Sequence, residues 1–76
     1  MDEGAILQDL GSRIRAQRKL IRLTQEQLAL VANVDRSYYG AVERGERNVT
    51  FTVLCRLCLA LRCDVALLTV NLPPAR

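Results

Sequence analysis

Apolar residues recur at helical spacing along almost the whole chain, and no stretch alternates polar and apolar for long enough to make a half-buried strand. From about Ala5 to Ile21 the stripe is Leu7, Leu10, Ile14 and Ile21, spaced three, four and seven apart. One turn after Ile14 the same face carries Arg18. A guanidinium pointing inward has to find an anion, because burying it alone is very costly. Thr24 opens a second helix, and Gln27 three residues on completes a capping box. Its inward residues are expected to be Leu28, Val31 and Ala32. That helix stops at Asn33-Val34-Asp35, where Asn33 tolerates a left-handed backbone. Asp35 has the chemistry to cap a third helix, Arg36 to about Arg44, which Gly45 ends. Thr50 caps a fourth, reaching Leu61 with Phe51, Leu54, Leu57, Cys58 and Leu61 on its apolar side, and Asp64 caps a fifth, Val65 to Val70.

The expected fold class is therefore all-α, a compact five-helix bundle. The second and third helices are short and joined by a turn of about three residues with apolar Val34 inside it. That spacing is the helix-turn-helix arrangement, whose second helix lies in the major groove of DNA. With 76 residues the chain holds one domain, spanning 1–76, with 1–4 and 73–76 as loose ends.

Charge supports a polyanionic partner. Residues 1–11 carry only the acids Asp2, Glu3 and Asp9. From Ser12 to Asn48 there are eight bases against four acids, and seven of the eight are arginine. Arginine holds phosphate with a planar fork, where lysine offers a point charge. There is no histidine, which removes the commonest general base and every mixed Cys/His zinc pattern. Cys55, Cys58 and Cys63 are odd in number and crowd into nine residues, so they read as buried, inert thiols. No catalytic residue, metal, cofactor or small-molecule ligand is expected. The longest apolar run is far short of the ~20 residues of a membrane span, and the acidic start is unlike a secretory signal. The chain reads as a cytoplasmic, non-membrane protein.

Three blocks then fall in register: Thr24-Gln25-Glu26-Gln27-Leu28-Ala29, Asn33-Val34-Asp35-Arg36-Ser37-Tyr38, and Glu43-Arg44-Gly45-Glu46-Arg47-Asn48. Together with Leu54, Leu57, Ala60-Leu61 and Leu67-Leu68 they closely resemble the phage-repressor and Cro-like helix-turn-helix (XRE) family, over about residues 10–70. The likeness is greatest to short stand-alone regulators such as restriction–modification controller proteins. It implies a lambda-repressor-like DNA-binding domain that acts as a dimer in the bacterial or phage nucleoid. It also implies an anion for Arg18, since members pair an arginine of the first helix with the glutamate ending the third, here Glu43. Arg22 and Arg62 stand where members often have glycine, so a differently built turn is expected at each, because a left-handed L-residue costs about 1–2 kcal/mol.

The resemblance assigns Gln25 to a backbone phosphate, at a helix N-terminus where anions are favoured. Arg47 and Asn48 are expected along the backbone too, with Arg44 and Arg13 adding to the field. In the third helix Tyr39 and Val42 face the core with Val34, leaving Arg36, Ser37, Tyr38, Gly40 and Ala41 outward. Arg36 can present two donors to guanine O6 and N7; a phosphate contact or a solvated arginine are its alternatives. Ser37, Tyr38 and Ala41 complete the base-reading set. Gly40 permits close approach either to the groove or to a neighbouring helix. Finally, Cys55, Leu59, Val65, Leu68, Val70 and Leu72 exceed what one small core can use, which points to a two-fold homodimer on paired half-sites of double-stranded DNA. The rival reading is an antitoxin-like module that sequesters a partner protein.

Overall fold

The structure is a computed structural model and describes residues 1–74. Each helix starts on a side-chain oxygen that accepts a backbone N–H three residues ahead. Asp2 does so for α1 (Glu3–Leu20), Thr24 for α2 (Gln25–Ala32), Asp35 for α3 (Arg36–Glu43), Thr50 for α4 (Phe51–Leu61) and Asp64 for α5 (Val65–Thr69). Gln27 returns a bond to the Thr24 N–H at 2.9 Å, closing the capping box. The cap at Asp2 puts Glu3 and Gly4 inside α1, so the helix begins within the stretch expected to be a loose end. At the other end, Pro73 and Pro74 line a depression with Met1, Ala5 and Ile6, and residues 75–76 of the expected tail lie outside the described residues.

Four of the turns share one construction. Arg22, Asn33, Gly45 and Arg62 all have positive φ, between 57° and 74°. After each, the next N–H bonds a carbonyl five residues back: Leu23 to Arg18, Val34 to Ala29, Glu46 to Ala41 and Cys63 to Cys58. This is the Schellman closure. Arg22 and Arg62 thus adopt the left-handed geometry that the sequence was expected to avoid. The two backbone bonds of each closure, and the half-buried Leu23 and Cys63 that follow, offset the strain.

The core is built from Leu10 and Ile14 of α1, Leu28, Ala29 and Ala32 of α2, and Tyr39 and Val42 of α3. Leu54, Leu57, Cys58, Ala60 and Leu61 of α4 and Leu68 of α5 complete it. Two expectations fail. Val31 is 64% exposed and Ala29 takes the inward place, because an eight-residue helix buries only the narrow arc through Leu28, Ala29 and Ala32. Phe51 is 69% exposed: it begins the strip that continues through Cys55 and Leu59, at the edge of α4's buried arc. Among the described residues there is no strand, and no helix is long and apolar enough to cross a membrane.

Glycine lets α1 press on the end of α3. A Cβ at Gly11 would fall 2.4–2.8 Å from backbone atoms of Val42 and Glu43. At Gly45, where φ is +74°, a Cβ would fall 2.6 Å from Cα of Gln8. Both contacts are with main chain, so neither can yield by a rotamer change. Gly11 sits on the Leu7–Leu10–Ile14 stripe, and a glycine there inside a strong helix pattern is the signal that sequence reasoning passed over.

Candidate nucleic-acid interface

Arg18 and Glu43 settle how α3 is held. Arg18 is 8% exposed and Glu43 6%. The guanidinium grips the carboxylate with two bonds, Nε to Oε2 at 2.6 Å and Nη2 to Oε1 at 3.0 Å, while Nη1 donates to the Leu23 carbonyl at 2.9 Å. Gln25, first residue of α2, donates its Nε2 to Glu43 Oε1 at 2.9 Å. One carboxylate therefore joins α1, α2 and α3. Burial alone would raise the Glu43 pKa; the bonds from Arg18 and Gln25, with the Tyr39 hydroxyl beside them, more than offset this and hold it below the ordinary glutamate value. The Glu43 bonds likewise raise the Arg18 pKa. The Tyr39 hydroxyl is buried in the same cluster with no hydrogen-bond partner among the described residues.

With that clamp on the inner side of α3, Arg36 and Ser37 are exposed, and Tyr38 and Ala41 half-buried. Arg36 and Arg47 pair with no carboxylate among the described residues. The Arg47 guanidinium lies over the Tyr38 ring, 5.3 Å from its centroid. The Tyr38 hydroxyl donates to the Asn48 carbonyl at 3.0 Å. Tyr38 therefore braces the loop after α3, a tie no local sequence signal announced. Arg44 is exposed and paired with Glu46 at 3.1 Å, a surface pair of little energetic weight. Gly40 is buried, and the atoms nearest its missing side chain are the side-chain ends of Arg36 and Arg44 from α3 and its cap and of Gln25 from α2, rather than any neighbouring backbone.

Arg13 does not join this face. Its Nε and Nη2 bond Asp9 at 2.9 and 3.2 Å, and its Nη1 donates to the carbonyls of Leu68 and Val70. The last carbonyls of a helix have no partners within it and attract cations, so Arg13 is spent tying α1 to the end of α5. Gln17 and Arg56 do the same elsewhere: Gln17 bonds the Leu61 carbonyl at 3.0 Å, and Arg56 bonds those of Ala32 and Asn33. Neither was predicted from sequence.

The expected self-association surface is only partly apolar and open. Leu59 is 81% exposed and Val70 is exposed, while Cys55, Val65 and Leu72 are half-buried. Leu68 is 1% exposed and belongs to the monomer core, since α5 docks through that one buried side chain. Leu67 on the same short helix is exposed instead. The three cysteines are free thiols. Burial pushes Cys58 up to about 12 and raises Cys63, so both stay protonated at neutral pH.

The Helix-turn-helix family model, HTH_3, matches residues 14–68. The chain belongs to the helix-turn-helix family. A control protein of Serratia marcescens, C.SmaI, is 45% identical over 56 residues, covering 74% of this chain and 67% of that one. Among solved structures, the restriction-modification controller protein C.AhdI from Aeromonas hydrophila superposes with a TM-score of 0.82 at 42% identity, covering 84% of this chain and 97% of its own. The controller protein C.Esp1396I, solved as a tetramer with its natural 35-base-pair operator, superposes with a TM-score of 0.79 at 29% identity, covering 90% of each chain. In this helix-turn-helix protein α2 and α3 are the motif, and the chain is a DNA-binding transcription regulator rather than an enzyme.

Proposed function

We propose that this regulator acts as a homodimer that lays α3 of each protomer in the major groove of one of two related half-sites. The observation that carries the reading is the exposed start of α3, where Arg36 and Ser37 have no side-chain partner among the described residues while the helix behind them is fixed by the Arg18–Glu43–Gln25 clamp. Arg36 reads a guanine edge with two donors, and Ser37, Tyr38 and Ala41 supply shorter contacts. Gln25 at the start of α2, with Arg47, Asn48 and Arg44 around the end of α3, holds phosphates and sets the register. Gln25 keeps its second amide hydrogen for a phosphate while Glu43 accepts the first. The protomers meet through Cys55, Leu59 and Val65 with Val70 and Leu72. The operator-bound tetramer of C.Esp1396I supports an assembly larger than one chain. Such a protein works in the cytoplasm, at the nucleoid.

Selection of bound duplexes from a random pool tests this. Wild type should return a two-fold-related pair of half-sites centred about one helical turn, ~34 Å, apart. Arg36→Ala should return the same spacing with one base pair per half-site relaxed, whereas Gln25→Ala should lower yield without altering the consensus. Retention of the full consensus by Arg36→Ala would remove Arg36 as the reader.

A further inference from the structure

We infer that Gly40 is a specificity-determining position: its missing side chain lets the Arg36 guanidinium lie against α3, beside the ends of Gln25 and Arg44. A Cβ built there would lie 2.8 Å from Arg36 Nη1, 3.2 Å from Arg44 Nη1 and 3.5 Å from Gln25 Oε1. Arg36 comes from the first turn of α3, Arg44 from its C-cap and Gln25 from the first turn of α2, so three separate polar groups close over one bare backbone position. Gly40 is buried although the sequence placed it outward, and it lies one turn from Glu43, with the Gln25 amide reaching both.

Gly40 differs from Gly11 in the kind of atom it excludes. At Gly11 an added methyl meets backbone, and the helices themselves would have to part. At Gly40 it meets the far ends of two arginines, which can swing away. Alanine is therefore tolerated by the fold and favoured by helix propensity, yet it evicts the Arg36 guanidinium from its seat. The seat also crowds two guanidiniums over one point, with only Arg44 partly compensated by Glu46. An anionic or strongly accepting group, a phosphate oxygen or the O6/N7 edge of guanine, completes it. A bidentate contact survives only small errors in donor position, so lifting Arg36 off the helix weakens the reading of its base pair.

This inference rests on Arg36 being a base reader, as proposed above. The test is a cycle of wild type, Gly40→Ala, Arg36→Ala and the double variant. Each is melted and then measured against the selected duplex and against duplexes changed at the Arg36 base pair. Gly40→Ala should melt about 3–8 °C higher than wild type, the gain expected when alanine replaces a helical glycine in a domain this small. It should reduce preference at the Arg36 base pair from about tenfold or more to about threefold or less. In the Arg36→Ala background the same change should alter preference by less than about twofold. Four results would overturn the inference: melting below wild type, undiminished preference, a loss equal for all sequences, or an equal effect without Arg36. If Arg36→Ala itself keeps full preference, the reader assignment fails instead, and the two failures are distinguished.

Discussion

Truncating Glu43 to alanine should be among the most damaging single changes in this protein. Arg18 is 8% exposed in the native chain, and the variant leaves its guanidinium with the Leu23 carbonyl as its remaining partner among the described residues and takes the acceptor from Gln25. Removing one member of a buried, doubly bonded pair costs about 3–5 kcal/mol. At about 0.05–0.15 kcal/mol per residue, a domain of 76 residues has roughly 4–11 kcal/mol in all, so the loss takes about a quarter of the total or more. Urea denaturation followed by far-UV circular dichroism measures it. The double variant Arg18→Met/Glu43→Leu leaves no unpaired charge and should recover most of that loss, giving a coupling of about 2 kcal/mol or more. pH supplies a further readout. Glu43 has its pKa lowered by folding, so its contribution is complete above its ordinary value near 4.5 and is lost as pH falls through the lower folded value. Glu43→Ala should lack that acid-side component. A cost below about 1 kcal/mol, or a double variant as unstable as the sum of Arg18→Met and Glu43→Leu measured separately, would refute the clamp.

Gly11→Ala should destabilise by about 1–3 kcal/mol in spite of its better helix propensity, because the new methyl meets the Val42 and Glu43 backbone; an unchanged or higher melting temperature would contradict that packing. Leu59→Glu should weaken self-association tenfold or more in sedimentation while leaving the monomer folded, since Leu59 is 81% exposed. Leu68→Glu, at a side chain 1% exposed, should instead abolish the cooperative melt. Arg47→Ala should weaken binding to all duplexes alike and flatten the dependence of log K on log salt by about 0.9 per protomer.

What could be read along the chain was local or periodic. The caps at Thr24, Asp35, Thr50 and Asp64 were legible because a short acceptor ahead of an apolar stripe has few other uses, and Arg18 because it broke a stripe that ran through Ile14. The outward start of α3 followed from the inward spacing of Tyr39 and Val42. The failures needed knowledge of which helix ends meet. Arg13 looked like one more base, and only the arrival of α5 beside α1 gives it two carbonyls. Val31 and Phe51 are apolar residues on short helices whose buried arc is set by neighbours, not by their own pattern. Leu68 and Leu67 are adjacent and chemically alike, so nothing local says which one enters the core. The left-handed turns at Arg22 and Arg62 show that backbone closure and an apolar follower can outweigh the residue's own preference.

The central claim is that the start of α3 meets base edges in the major groove at two places on one face of the duplex. Guanine N7 lies in that groove, so methylation interference on the selected duplex is the most direct measurement. Interference should fall in two clusters about one helical turn apart, with one guanine in each becoming insensitive when Arg36 is alanine. Interference confined to minor-groove adenines, or spread without a two-cluster pattern, would contradict the account.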